Sequence, residues 1–363
     1  MKYNRYTLGE LVQIKYGKNQ KNVLSENGTY PIYGTGGLMG YATEPLYTKP
    51  SVLIGRKGTI DKVKYVDHPF WTVDTLFYTI VNEDLVLPKY LYYRMSMIDL
   101  STYNEGTTIP SLRTETLNRL EFDIPSLEDQ RKILSYLEPI DEKISINTQV
   151  NNNLQQQAAA MYKSRFVDFS PSVECEMVDS EIGKIPSGWR VYRLSEFLPV
   201  ITGKKNANVS SDKGDYPFFS CSQGFAWTDE YSFEGHAILV AGNGDFNVKW
   251  YKGKFEAYQR TYVLIPYEER YTSWLYYAVK YNLAKIISAA RGSVIKFITK
   301  GNLEDFAFAA PSDLCSCKIV DTFAAINRKI DCLTQENYRL SAIRDSLLPR
   351  LMSGGIDVSD IKI

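Results

Sequence analysis

Small groups of cationic, amide and hydroxyl side chains recur along this chain, several of them beside glycine. In the first half they are Lys18, Asn19, Thr35, Arg56, Lys57, Thr59, Thr107, Thr108 and Arg113. In the second they are Lys204, Lys205, Asn206, Ser222, Gln223, Asn243, Asp245, Asn247, Arg291, Ser293 and Lys296. Their chemistry is charge neutralisation and hydrogen bonding, not bond making. Lysine and arginine suit phosphates, arginine suits guanine, asparagine or glutamine suits adenine, and aspartate accepts from cytosine. Gly58 and Gly244 stand in two of the groups, where a missing Cβ lets backbone approach a ligand closely. An ordinary surface or turn role is the competing reading for each residue.

Residues that would make or break bonds are scarce. The only histidines are His68 and His236, so a nucleophilic triad is unsupported. No Gly-x-Gly-x-x-Gly or P-loop string occurs, and Gly242-Asn-Gly244 reads as a turn. The Asn/Asp-Pro-Pro-aromatic tetrapeptide of an adenine methyltransferase is also missing. Cys175, Cys221, Cys315, Cys317 and Cys332 follow no disulfide framework. Cys315-Ser-Cys317 lacks the further ligands that zinc needs, so reduced thiols are expected and no metal.

Charge balance gives no help, because 42 Lys plus Arg offset 42 Asp plus Glu. Placement matters instead. Lys15, Lys18 and Lys21 cluster, as do Arg56, Lys57, Lys62 and Lys64, and later Lys249, Lys252 and Lys254. Acids gather elsewhere, at Glu115, Glu121, Asp123, Glu128 and Asp129. A chain 44% hydrophobic and 23% charged, with no run of about 18 apolar residues, is expected to be a cytoplasmic globular protein without a membrane span. The N-terminus has no apolar signal core.

The elements that must position these groups are written twice. Shifting the sequence by 186 residues lays Tyr6-Thr-Leu-Gly-Glu10 on Tyr192-Arg-Leu-Ser-Glu196, and Gly17-Lys18 on Gly203-Lys204. It also lays Tyr30-Pro-Ile-Tyr33 on Tyr216-Pro-Phe-Phe219, Gly58 on Gly244, Gly106 on Gly292, and Pro125-Ser126 on Pro311-Ser312. Around residues 66–100 the match drifts by one or two positions. One offset held through so many segments marks a tandem duplication. In each half, Val52-Leu-Ile54 or Ala237-Ile-Leu-Val240 suits a buried strand. Tyr90–Met95 and Trp274–Val279 read as helical.

A long helix closes each half. Ile133, Ile140, Asn147, Leu154 and Met161 recur every seven residues, interleaved with Leu137, Ile144, Asn151 and Ala158. The same register gives Ile319, Ile326, Leu333, Leu340 and Leu347, interleaved with Phe323, Ile330, Asn337 and Arg344. This 4–3 spacing makes one apolar stripe per helix, a coiled-coil seam. Asn151 and Asn337 fall at equivalent seam positions. They either fix register or bond across a wet stretch of the seam. Pro139 should bend the first helix near Ser135. Pro349 followed by Ser353-Gly354-Gly355 reads as a helix stop.

The resulting division is a domain at 1–125, a spacer helix at 126–169, a polar Pro/Gly linker at 170–188, a second domain at 189–311, and a helix with its tail at 312–363. A helix of about 33 residues spans roughly 50 Å. Connectivity then predicts an α+β protein with two similar mixed α/β domains at opposite ends of an antiparallel two-helix coiled coil, related by a pseudo-twofold. Such a form suits a split target, since one turn of DNA spans about 34–36 Å.

Several segments carry a resemblance. Ile124-Pro-Ser-Leu-Glu-Asp-Gln-Arg-Lys-Ile133, Asp141-Glu-Lys-Ile144 and Ala160–Phe169 are similar to the central region of type I restriction-modification specificity subunits. Glu181-Ile-Gly-Lys-Ile-Pro-Ser-Gly-Trp189 resembles the entry to their second target-recognition domain, and Leu340–Gly354 their C-terminal repeat. The chain departs where Ser312-Asp-Leu-Cys-Ser-Cys-Lys replaces the usual Leu-x-x-Gln opening of the second helix. The resemblance implies a non-catalytic, sequence-reading subunit on double-stranded DNA. It implies two modification subunits holding S-adenosylmethionine, and restriction subunits using ATP and Mg, all docked on the helices, with none of these cofactors in this chain. The rival readings are a methyltransferase or nuclease chain, and a coiled-coil scaffold.

Overall fold

The computed structural model describes residues 1–170, 176–288 and 297–358. The chain divides into two compact units, Met1–Ser145 with Asn337–Ile363, and Ile146–Glu336.

In the first unit β1 (Tyr3–Thr7) leads into a single turn, α1 (Leu8–Leu11), and then into β2 (Val12–Tyr16). The strands β3 (Tyr30–Gly34), β4 (Gly37–Ala42), β5 (Ser51–Gly55), β6 (Val63–Val66), β7 (Trp71–Thr72) and β8 (Leu76–Val81) follow. Helices α2 (Pro88–Ser96) and α3 (Thr114–Asn118) then precede β9 (Glu121–Pro125). The order β2-β8-β5-β6 makes one sheet and β4-β3-β7 a second, while β1 pairs with β9. All five residues of β5 are buried, as its uninterrupted apolar run requires of a strand covered on both faces. Pro88 opens α2 at the position where its missing N–H costs nothing.

Helix α4 (Leu127–Phe166) follows, with Ser126 capping it by accepting from Asp129 N at 3.1 Å. Gln130 explains the Leu-Glu-Asp-Gln string. It is fully buried, accepts from Leu87 N and donates to Leu85 O and Pro125 O, so it ties the helix start to the domain. The helix runs on through Pro139.

In the second unit a hairpin, β10 (Met177–Ser180) and β11 (Gly183–Pro186), occupies part of the Pro/Gly linker at 170–188. Gly183, at φ 110°, supplies a turn conformation that other residues resist. The strands β12 (Trp189–Arg193), β13 (Val200–Thr202), β14 (Tyr216–Phe219), β15 (Ala226–Thr228), β16 (Phe233–Ala241), β17 (Val248–Ala257) and β18 (Thr261–Leu264) follow. Then come α5 (Thr272–Tyr281), α6 (Leu283–Ser288), α7 (Lys300–Glu304), β19 (Ala307–Pro311) and α8 (Lys318–Met352). Helix α8 begins after the departing segment, where Ser316 and Asp313 bond to each other. A serine there cannot reach back into the domain as Gln130 does.

The two units share pairing as well as sequence. Tyr3 faces Pro125 and Trp189 faces Pro311, each the other plus 186. Tyr30 faces Ala42, and Tyr216 faces Thr228. Ile32 pairs in parallel with Trp71, and Phe218 with Glu256, where the second partner lies 185 on. One residue fewer in the loop after the buried strand therefore accounts for the first step of the drift.

Each unit takes segments of both long helices into its core. In the first, Ile133 and Leu137 of α4 and Leu348 and Leu351 of α8 pack with Leu8, Ile54, Phe77 and Tyr90. In the second, Ala158, Tyr162 and Phe166 join Phe323, Trp274 and Leu303. The helix segments run antiparallel within each unit. Asp141 meets Arg344 and Ile144 meets Asn337 in one; Asn147 meets Glu336 and Asn151 meets Thr334 in the other. Ile133, Leu137, Phe323 and Ile330 are buried. Ile140, Ile144, Asn151, Leu154, Ile319, Ile326, Asn337 and Leu340 are half-buried. The fold is thus two similar mixed α/β domains, each with an antiparallel helix pair, from an internal duplication. No described helix is long and apolar enough to cross a membrane.

Candidate nucleic-acid interface

The candidate contact residues of the first unit lie on loops after β2, β3 and β5 and on the segment before α3. Backbone bonds draw these loops together. Gly17 N donates to Leu76 O at 3.0 Å, Arg56 N to Thr75 O at 2.8 Å, Val73 N to Tyr33 O at 3.0 Å, and Leu112 N to Arg56 O at 3.0 Å. The second unit repeats the set. Gly203 N donates to Thr261 O at 2.9 Å, Gly242 N to Arg260 O at 2.8 Å, Tyr258 N to Phe219 O at 2.9 Å, and Ile298 N to Gly242 O at 2.8 Å. Lys57 bridges to Ser111 as Asn243 does to Phe297. A Cβ at Gly17 would strike the carbonyl of Val73, and one at Gly203 that of Tyr258, so both crossings need glycine. Gly58 and Gly244 hold φ 87° and 68°, the left-handed region.

On this shared frame the side chains differ. The Arg56 guanidinium lies 4.9 Å over the Tyr16 ring and donates to Asp74 O at 2.9 Å, which fixes its plane. Lys57 and Thr59 are exposed beside it. Thr35 Oγ1 faces the open side of Gly58. Lys18 and Asn19 are exposed, and Asn19 accepts from Lys21 N at 2.9 Å, an Asx turn. Thr107 and Thr108 are exposed on a loop pinned by Asn104, whose Oδ1 accepts from Gly106 N and Ser111 N, both at 2.9 Å. Arg113 pairs with Glu105 at 3.1 Å, so its charge is answered inside its own loop.

In the second unit Lys204 is exposed, 5.3 Å from the Phe233 ring, and Asn206 is exposed after it. Lys205 pairs with Glu230 at 2.8 Å. Exposed pairs of this kind are worth under about 1 kcal/mol, so a phosphate can displace the carboxylate. Ser222 is exposed, and Gln223 Nε2 donates to Asp245 Oδ2 at 2.6 Å. Asn243 accepts from Cys221 Sγ at 3.2 Å. Asn247 corrects the sequence reading. It is buried, and its Nδ2 donates to Cys221 O at 2.9 Å and Asp245 O at 2.6 Å, so it braces two loops rather than standing exposed on one. Arg291, Ser293 and Lys296 lie outside the described residues.

Lys64 and Lys249, read from sequence only as members of basic clusters, are equivalent at the 185 offset. Lys64 Nζ sits 3.8 Å over the Tyr33 ring, and Lys249 Nζ donates to Ser220 O at 3.1 Å. Burial holds both ammonium groups below the usual lysine range. The one-residue drift hid their equivalence. Among the described residues no group of three or more His, Cys, Asp or Glu could hold a metal ion. The arrangement can bind phosphates and base edges, and two frames with unlike side chains can read unlike sequences.

Residues 2–156 and 186–342 each match the family described as type I restriction modification DNA specificity domain. The chain is 37% identical over 176 residues to the EcoDI specificity subunit of Escherichia coli, covering 47% of this chain and only 39% of that protein. It is 25% identical over 347 residues to the MjaIX specificity subunit of Methanocaldococcus jannaschii, covering 87% and 80%. In fold it is similar to the crystal structure of a type I restriction-modification S subunit from M. genitalium. The TM-score is 0.61 at 18% identity, over 97% of this chain and 96% of that one.

Proposed function

The chain belongs to the family of type I restriction-modification DNA specificity subunits, and from that premise we propose that it reads a split, asymmetric DNA target, one half-site per domain. The observation that carries this reading is the doubled loop frame with unlike side chains. Where the first domain offers Arg56, Lys57 and Thr59, the second offers Gly242, Asn243 and Asp245 at the same backbone positions. The same frame with different donors and acceptors is what two different half-sites require.

Lys18, Lys57, Lys64, Lys204 and Lys249 supply phosphate contacts, which set position. Arg56, Thr59, Gln223, Asn243 and Asp245 face base edges, which set sequence. The chain carries out no chemistry itself. Two modification subunits, holding S-adenosylmethionine, methylate adenine in each half-site. Restriction subunits bring ATP, Mg and cleavage, and the helices α4 and α8 are the docking surface for these partners. The complex works in the cytoplasm, where its DNA is.

The test is exchange of residues 1–125 for the corresponding domain of another such subunit, followed by methylation mapping in cells. One half-site should change and the other stay. A change in both, or in neither, rejects the assignment of one half-site to each domain.

A further inference from the structure

The hairpin β3–β4 and its counterpart β14–β15 have the same register, with Pro31 opposite Tyr41 and Pro217 opposite Trp227. Their tips carry Met39 and Phe225, equivalent at offset 186, and these are 56% and 43% exposed. Tyr41 and Trp227, also equivalent, are exposed beside them. No other exposed large apolar side chains among the described residues coincide at that offset. A single exposed apolar residue needs no explanation. The same exposed position in two diverged copies does.

Both tips are continuous with the loop frame. Thr35, in the first turn, lies beside Gly58. Gln223, two residues from Phe225, is bonded to Asp245, and Asn247 holds the carbonyl of Cys221. The Phe225 ring is oriented from behind by Phe219 at 5.7 Å and Trp227 at 5.3 Å. Polar and cationic groups are tied to each hairpin: Lys249 donates to Ser220 O and Gln223 to Asp245 in one, and Lys64 sits over the Tyr33 ring in the other. Small apolar groups of this kind, Leu38, Met39 and Tyr41 in one hairpin and Phe225 and Trp227 in the other, are narrower than the broad apolar core of a protein interface. In the major groove the one apolar group on a base edge is the thymine methyl.

We infer that Met39 and Phe225 are specificity-determining residues that read thymine methyl groups by apolar contact, one in each half-site. This rests on the DNA-reading function proposed above.

The test uses the full chain in complex with the modification subunit of its own system, offered duplexes with randomised bases. A parent complex that selects no sequence rejects the reading function itself, and the inference with it. With a target selected, Phe225→Ser is expected to relax a T·A pair in one half-site, and Met39→Ser a T·A pair in the other. Deoxyuridine in place of that thymine should weaken the parent about fourfold, the value of one buried methyl group, and leave the serine variant unchanged. Phe225→Leu should keep the preference. The inference is overturned if the parent is indifferent to deoxyuridine at every selected thymine, a measurement that needs no variant to fold. It is overturned equally if the serine variants keep all preferences, weaken every sequence alike, or lose the modification subunit instead.

Discussion

Gln223 on the turn after β14 reaches Asp245 on the loop after β16, Nε2 to Oδ2 at 2.6 Å. The amide orients the carboxylate while the second oxygen stays available to accept. Asp245→Asn turns a pure acceptor into an amide that suits adenine. Preference at one base pair of the second half-site should shift by about 1–3 kcal/mol. Methylation mapping reads the shift, and altered preference in the first half-site would contradict it.

Lys249 makes the opposite kind of contribution. Its ammonium is half-buried, with Ser220 O as acceptor and Asp245 near enough to attract it. A phosphate is the anion that completes such a site. Lys249→Met should weaken binding to all sequences alike and reduce the salt slope of log K by about one. Titrations at several salt concentrations test this, and loss confined to one sequence would argue for base contact.

The duplication was readable in sequence because β1, β9, β12 and β19 keep one offset to the residue, and the apolar runs of β5 and β16 admit only buried strands. The helices were readable from the seven-residue stripe. Other features were not. Asn247 has the side chain of a base reader, and only its burial shows that it is a brace. Arg113 and Lys205 stand among the candidate contacts, and their pairing with Glu105 and Glu230 leaves no mark in the sequence. The hairpin 177–186 buries only Ile185 and Pro186 at one end, so no alternation announced it.

Gly203 crosses beneath the backbone of Ala257 and Tyr258, whose carbonyl oxygens stand where a side chain would be. Backbone cannot move aside as a flexible side chain does. Gly203→Ala should cost the second unit about 1–3 kcal/mol or more, as overpacking does. It should also blunt reading of the second half-site while leaving the first. Thermal unfolding and methylation mapping together check this, and an unchanged melting temperature would sink it.

His236 on β16 gives the second unit a pH dependence of definite sign. Its ring is largely buried, with Nδ1 3.5 Å from Glu269 and Nε2 without a partner among the described residues. Burial lowers its pKa below the ordinary 6.5. Glu269 and Asp331 oppose that shift, and Lys252 adds to it. The unfolded chain therefore takes up a proton near pH 6.5 that the folded unit resists, and stability falls as the pH drops below that value. Asp331 has the reverse sign, since burial raises its carboxyl, and Glu269, held low by Lys252, loses stability only in more acid solution. Between pH 7.5 and 6 the histidine contribution should stand apart from both. The melting temperature of the parent should fall over that interval by more than that of His236→Gln. Equal slopes for the two proteins would show that the imidazole is not the group responsible.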